Sequence, residues 1–323
     1  MFESFENAFT NASSVLLTTT ELDGDSVGAI AALYLIIKTR WPKTNVRILN
    51  EEGLPRRYTS IVPAGIHFGV AGDFAVQPID LAVVVDGDRF RLGAATAHFD
   101  AAQVTGMIDH HRSSAASDVD IALHDPTAAS TTIQVLELAD YLEVPLTPDL
   151  ARCIYAGLAF DTSVFRYRMT SPRTHYAAAR LLETGIDHAR VVECVLFEQT
   201  EAKARLKGRM LERMQRTIAG SCAWSYLTYR ETLGEDTGGL VDDLVFLEGV
   251  SLGLLLVEKS DGTVKASLRG RGACDVGRLA RRLAPQGGGH ARAAGATLRG
   301  PMEDAITHTL AAIAEYVKAD HAA

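Results

Sequence analysis

At 323 residues the chain has room for two ordinary domains, and 47% hydrophobic against 22% charged residues, with no low-complexity tract, makes it globular throughout. A formal net charge of −8 argues against a long nucleic-acid duplex lying across the surface, but leaves room for a short anionic substrate in a local positive pocket. The four cysteines, Cys153, Cys194, Cys222 and Cys274, are widely spaced with no C-x-x-C pair, which points to core thiols in a reducing compartment rather than disulfides or a zinc cluster. The first ten residues lack the basic segment and apolar run of a signal peptide, and the longest apolar run, residues 29–37, is shorter than the about 20 residues a bilayer requires. A soluble, cytoplasmic protein is expected.

Residues 2 to 12 predict a short amphipathic helix with Phe2, Phe5 and Phe9 on one face. A strand over residues 14–20 follows, then the acid-rich turn at 21–26 and a mostly apolar helix from Val27 to Trp41, stopped by Pro42. Asp23 and Asp25 stand at the head of that helix, where Gly24 and Gly28 permit close backbone approach and the helix N-terminus favours anions. Further strands are expected at 45–49, 80–86 and 104–109, and helices at 127–141, 150–160 and 173–183. Residues 193–216 predict one long helix, charged on one side, joining two domains. After Gly220, antiparallel strands are expected at 222–229, 251–258 and 263–269, then helices at 276–283 and 302–318 flanking Gln286-Gly-Gly-Gly-His290.

Three strand-like runs end in acids or imidazoles: one leads to Asp23-Gly-Asp25, one to Asp86-Gly-Asp88 and one to Asp109-His110-His111. Buried strands deliver polar groups in this way to the carboxyl edge of an open α/β sheet, where ligands bind. With Asp161 the set is mostly hard oxygen donors plus imidazole, which suits two divalent metals that clamp phosphate oxygens and activate a water. Such mixed ligation favours Mn2+, with Mg2+ or Co2+ as alternatives, and the absence of thiolates argues against structural zinc. Each acid taken alone reads as a helix cap or turn residue, and a glycine run alone as a flexible loop; it is their ordered combination that points to a site.

The order Asp-x-Asp, Asp, Asp-His-His, Asp and then Gly-Gly-Gly-His resembles the DHH phosphoesterases with a DHH-associated C-terminal domain. Within that family the chain looks like the nanoRNase / pAp phosphatase (NrnA-like) and cyclic-di-AMP phosphodiesterase group. Supporting matches are Arg91-Leu-Gly93, Ala129-Ser-Thr131, Gly157 with Asp161-Thr162 and Phe165, and Ser267-Leu-Arg269. The resemblance implies metal ligation by Asp23, Asp25, Asp86, His110 and Asp161. It places Asp109 behind His110, orienting that ring by accepting its second N–H, and His111 near the scissile phosphate. It assigns substrate binding to Ser267, Arg269, Gly287, Gly288, Gly289 and His290. It also implies an α/β fold, with a mainly parallel DHH domain over 1–190, a helical connector over 191–217 and a smaller α+β domain over 218–323, the active cleft between them, and a homodimer.

Four positions before Asp23, where the family usually carries a histidine, stands Thr19, and Leu22 replaces the usual proline; Ser114 and Ala29 are milder departures from an asparagine and a serine. A threonine hydroxyl is a poor ligand beside an imidazole. Two classes of function therefore stand side by side. One is a metal-dependent hydrolase of short oligoribonucleotides, linear dinucleotides or pAp, or of cyclic-di-AMP by the same chemistry. The other is a nucleotide-binding protein whose metal centre has been weakened.

Overall fold

The computed structural model describes residues 1–112, 114–218 and 220–320, with side chains as far as residue 317. The chain forms two compact units, Met1–Glu198 and Gln199–Ala323. Among the described residues no helix is long and apolar enough to cross a membrane.

The first unit runs α1 (Phe2–Asn11), β1 (Ser14–Thr18), α2 (Gly24–Arg40), β2 (Asn45–Asn50), β3 (Phe68–Val70), β4 (Ile79–Val85), α3 (Thr96–Asp100), β5 (Ala102–Asp109), β6 (Ile121–His124), α4 (Thr131–Tyr141), α5 (Pro148–Thr162), α6 (Pro172–Glu183) and α7 (His188–Val192). Its six strands are all parallel, in the order β3-β2-β1-β4-β5-β6. The order reverses between β1 and β4, the point at which such sheets open a crevice beyond their carboxyl ends. Both faces are covered, and the strand sequences say why. In β4, Leu81, Val83 and Val85 enter one core with Val15 and Leu17, while Ala82 and Val84 enter another with Leu16 and Phe99. Continuous apolar strands of this kind belong inside a parallel sheet. Phe5 and Phe9 of α1 are fully buried, as their spacing predicts.

The second unit contains α8 (Glu201–Arg213), β7 (Gln215–Thr217), β8 (Cys222–Leu227), α9 (Tyr229–Thr232), α10 (Asp242–Val245), β9 (Leu252–Glu258), β10 (Val264–Gly270), α11 (Val276–Leu283), β11 (Gly288–Gly289), β12 (Ala293–Leu298) and α12 (Met302–Asp320). Its sheet has the order β11-β12-β10-β9-β8-β7. Leu254 and Leu256 of β9 pack with α11 and α12, whereas Leu255 and Val257 pack with Leu206, Met210 and Leu244 on the other face.

Two expectations are corrected here. The single helix predicted over residues 193–216 is broken: a π-type turn at Glu193–Phe197 ends the first unit, Thr200 caps α8, and residues 215–217 already form a strand. The Thr200 hydroxyl accepts the Lys203 N–H, a start signal inside an otherwise helical pattern. The strands at 222–229 and 251–258 are parallel to each other rather than antiparallel. The chain between them contains α9 and α10 and is long enough for a crossover, which a hairpin turn is not. The predicted C-terminal domain of 218–323 extends to residues 321–323, which lie outside the described residues.

Candidate metal centre

The parallel sheet places the acids. Asp86 follows the last residue of β4, Asp109 ends β5 and is followed by His110 and His111, and Asp23 and Asp25 stand at the start of α2 just beyond β1. Asp161 arrives separately, in the last turn of α5. A carboxylate there faces the negative end of the helix macrodipole, an unfavourable position without a compensating cation. Close helix packing brings it in. A Cβ at Gly28 would lie 2.3 Å from the Cys153 carbonyl oxygen, and one at Gly157 would lie 2.2 Å from Asp25 Oδ1. Only glycines let α2 and α5 approach this far.

Two overlapping donor groups result: Asp25, His110 and Asp161, and Asp86, His110 and His111, with ligand atoms of each group within 4.8 Å of one another. His110 Nε2 lies 3.1 Å from Asp161 Oδ2 and 3.7 Å from Asp86 Oδ1, and His111 Nδ1 lies 3.6 Å from Asp86 Oδ1. Asp25, Asp86 and His110 are buried, and His111 and Asp161 are partly accessible. Asp23 belongs to neither group. Its Oδ1 accepts the N–H groups of Asp25 and Ser26, closing a capping box with Ser26 at the head of α2.

One predicted contact is corrected. Asp109 orients His111, not the ring of His110. Its Oδ1 lies 2.7 Å from His111 Nδ1 and also accepts the backbone N–H of His110 and His111. The His110 ring instead donates Nδ1–H to the Ala128 carbonyl at 3.2 Å. A carbonyl can only accept, so Nδ1 keeps its proton and Nε2 is the atom left to ligate once its own proton is displaced. The reason is geometric: Asp109 turns back over its own following backbone, within reach of the ring two residues on.

The centre is in electrostatic conflict with itself. Burial lifts Asp86 well above the usual carboxylate range, and the charges of Asp25, Asp23 and Asp161 add to it. Burial, then Asp25, raises Asp161 to about 7 despite its contact with His110. Asp23 is raised to about 6, again by burial first, with hydrogen bonds from Ser26 and Asp25 pulling the other way. Burial alone would depress His110, but its hydrogen bond and attraction to Asp161, helped by Asp25 and Asp86, lift it to about 11. By contrast the His111 hydrogen bond and charge overcome burial at Asp109 and lower it, so Asp109 stays a carboxylate. Two like charges 4 to 5 Å apart repel by about 3–4 kcal/mol at an effective dielectric near 20. A divalent cation would turn each of these repulsions into an attraction. The donor set fits a hard divalent metal.

Sequence reasoning missed what holds the ligands. Both oxygens of Asp25 accept backbone N–H groups at the start of α4, Thr131 at 2.6 Å and Thr132 at 3.0 Å. The Thr131 hydroxyl donates to Asp86 Oδ1 at 2.8 Å, and Gln134 Nε2 donates to the Asp109 carbonyl. The only local signal was the Ala129-Ser-Thr131 match, because the partners lie 25 to 107 residues apart along the chain. Asp86 itself sits at φ +59°, the left-handed region that Asp tolerates better than most residues. Thr19 is absorbed locally: its N–H donates to Asn50 Oδ1 at 2.9 Å and its hydroxyl to the Glu21 carbonyl at 3.3 Å.

In the second unit, β10 puts Ser267 and Arg269 on the sheet face opposite Ala266 and Leu268, and Ser267 pairs across to Gly295, which pairs to Gly288. Arg269 Nε lies 2.6 Å from Asp242 Oδ1, so that cation is already engaged. The glycine run divides by position. A Cβ at Gly287 would lie 2.0 Å from the Ala280 carbonyl oxygen, and Gly289 has φ +130° with a Cβ position 2.6 Å from the Ala293 carbonyl oxygen. Nothing lies within 4 Å of a Cβ at Gly288. The backbone N–H of His290 donates to the Ala293 carbonyl at 2.8 Å.

The chain matches the DHH family, N-terminal domain, over residues 14–158 and the DHHA1 domain over residues 223–319. It belongs to the DHH family and is a phosphoesterase. Over 309 residues it is 28% identical to the bifunctional oligoribonuclease and PAP phosphatase NrnA of Thermus thermophilus, covering 93% of this chain and 89% of that protein. It is 31% identical over 199 residues to the cyclic-di-AMP phosphodiesterase GdpP of Geobacillus thermodenitrificans, which covers 59% of this chain but only 29% of that protein. An exopolyphosphatase-related protein from Bacteroides fragilis shares the fold with a TM-score of 0.87 at 23% identity, covering 98% of this chain and 96% of its own. RecJ of Thermus thermophilus, solved in complex with Mn2+, has a TM-score of 0.54 at 14% identity, covering 98% of this chain and 53% of its own.

Proposed function

We propose that this phosphoesterase hydrolyses very short oligoribonucleotides, linear dinucleotides or pAp with a divalent metal, Mn2+ first, held by Asp25, Asp86, His110 and Asp161. The observation that carries this reading is the convergence of mutually repelling, buried carboxylates and an Nε2-presenting imidazole at the switch point of the sheet. When bound, the metal would supply charge neutralisation at the phosphate oxygens and a more acidic water. His110 would ligate through Nε2, its ring fixed by the Ala128 carbonyl. His111, held by the ionised Asp109, is assigned to the reacting phosphate, where its orientation is set before substrate arrives. Asp23 is assigned a dual place as helix cap and outlying carboxylate of the centre. Recognition of substrate phosphate is assigned to the second unit, where Ser267 and the open position at Gly288 share one row of the sheet.

The likeness to the Thermus NrnA over most of both chains favours short oligoribonucleotides and pAp, and the shorter likeness to GdpP keeps cyclic-di-AMP as the alternative. The reading of a nucleotide-binding protein without turnover rests on Thr19, whose polar atoms are spent on Asn50 and Glu21. The test is a panel of labelled diribonucleotide, pAp and cyclic-di-AMP incubated with Mn2+-loaded protein. Release of mononucleotide from the diribonucleotide or of phosphate from pAp is expected. Preferential opening of cyclic-di-AMP would select the alternative, and binding of all three with no product would select the binding-protein reading.

A further inference from the structure

The start of α4 lacks a side-chain cap of its own. Ser130 stands at the N-cap position but makes no capping hydrogen bond; its hydroxyl pairs with the Thr132 hydroxyl at 2.8 Å. Two of the N–H groups left free in the first turn, those of Thr131 and Thr132, go instead to Asp25, a residue of α2, one to each carboxylate oxygen. Asp25 is therefore a helix cap delivered from 106 residues away. The residue that donates one of these N–H groups, Thr131, also donates its hydroxyl to Asp86 Oδ1. Thr131 is fully buried, and Asp86 stands in a left-handed backbone conformation that needs an outside partner to fix its side chain.

We infer that Thr131 is a positioning residue of the metal centre, which ties Asp25 and Asp86 to one point at the start of α4 in spite of their repulsion. Its backbone, with that of Thr132, holds Asp25, and its hydroxyl holds Asp86, so the hydroxyl fixes which lone pairs Asp86 presents to a cation relative to Asp25. This inference rests on the metal reading above. Partners of this kind behind metal ligands change metal affinity by about 10- to 100-fold when removed.

The experiment is a calorimetric titration of Mn2+ into metal-free wild-type protein, Thr131→Val and Thr131→Ser, with the Mn2+ electron paramagnetic resonance spectrum recorded at half saturation. Thr131→Val keeps the N–H to Asp25 and the side-chain volume but loses the hydroxyl. It is expected to bind Mn2+ about 10- to 100-fold more weakly, with an altered resonance line shape. Thr131→Ser restores the hydroxyl and is expected to lie within about 3-fold of wild type with the wild-type spectrum. Equal affinity and spectrum for wild type and Thr131→Val would overturn the inference, as would equal losses in the valine and serine variants, which would mark a packing effect. A wild-type protein that binds no Mn2+ would overturn the metal reading itself and this inference with it.

Discussion

The acidic centre of the first unit and the glycine-rich loop of the second carry the chain's most unusual sequences, and they are unusual for opposite reasons. At the sheet edge, Asp86, Asp161 and Asp23 are held where burial and each other's charge disfavour ionisation. Capping of α2 accounts for Asp23, but the crowding of Asp86 and Asp161 beside it is a cost that a bound cation would offset. In the loop, Gly287 and Gly289 are required by a close carbonyl approach and by a positive φ, and only Gly288 has no such reason. Electrostatic conflict that folding does not require is therefore a sharper pointer to chemistry than a run of one residue type.

The largest effect separating the two regions is expected from Asp86→Asn. Asparagine tolerates the left-handed backbone, and its oxygen can still accept the Thr131 hydroxyl, so the fold should not suffer. Metal-dependent hydrolysis should fall by more than about 100-fold, since a direct ligand outweighs a supporting partner. Stability of the metal-free protein should rise. A carboxylate whose folded pKa is raised contributes stability only below its unfolded value near pH 4, and this is lost as pH rises through the folded value. Its removal should therefore stabilise the metal-free form at pH 8, read as a higher Tm. An unchanged or lower Tm would show that the cluster is not strained.

In the loop, Gly287→Ala should cost roughly 2–3 kcal/mol by denaturant unfolding, whereas Gly288→Ala should change stability by no more than about 0.5 kcal/mol. Equal costs would erase the distinction between packed and open glycines. If Gly288 serves substrate phosphate, its alanine variant should raise KM at unchanged Tm.

The raised acids also set the pH dependence of metal binding. Asp161 at about 7 and Asp23 at about 6 must lose their protons, and His110 at about 11 must release the one on Nε2, before a cation is bound. Mn2+ affinity should therefore climb from pH 6 to 8, roughly 10-fold per pH unit for each proton displaced. Titrations in two buffers of different ionisation enthalpy would report that proton release directly, and a flat profile would contradict the raised values.

Away from both regions, Glu231 makes a two-pronged pair with Arg213, at 2.8 and 3.0 Å, and is held at about 2, chiefly by that hydrogen bond. Because the folded value lies below the unfolded one, this pair stabilises fully above about pH 4.5 and is lost as pH falls towards 2. Glu231→Gln should cost about 1 kcal/mol at pH 7 and almost nothing at pH 2. It is the small, ordinary contribution against which the metal centre stands out.

How much of this could be read from the sequence follows the same division. The apolar runs of β1, β4 and β5 announced a parallel sheet, and the acids at their ends announced its crevice, because strand burial and sheet polarity are local properties. The edge strands β3 and β6, three and four residues long, were missed because too few side chains are buried to leave a pattern. The parallel pairing of β8 with β9 was missed because pairing direction depends on the crossover between them. At the site, the ligand types were legible but their supports were not. Ala128 and Thr131 act through a carbonyl, an N–H and a hydroxyl on partners far along the chain, and nothing in their identity announces it.

The most direct test of the account is to measure bound metal and diribonucleotide hydrolysis on the same Mn2+-loaded, desalted samples of wild type and Asp86→Asn. The account predicts retained Mn2+ and released mononucleotide for wild type, with both lost in the variant. Hydrolysis that persists in Asp86→Asn, or wild-type protein that holds Mn2+ yet releases no mononucleotide from the diribonucleotide, would contradict it.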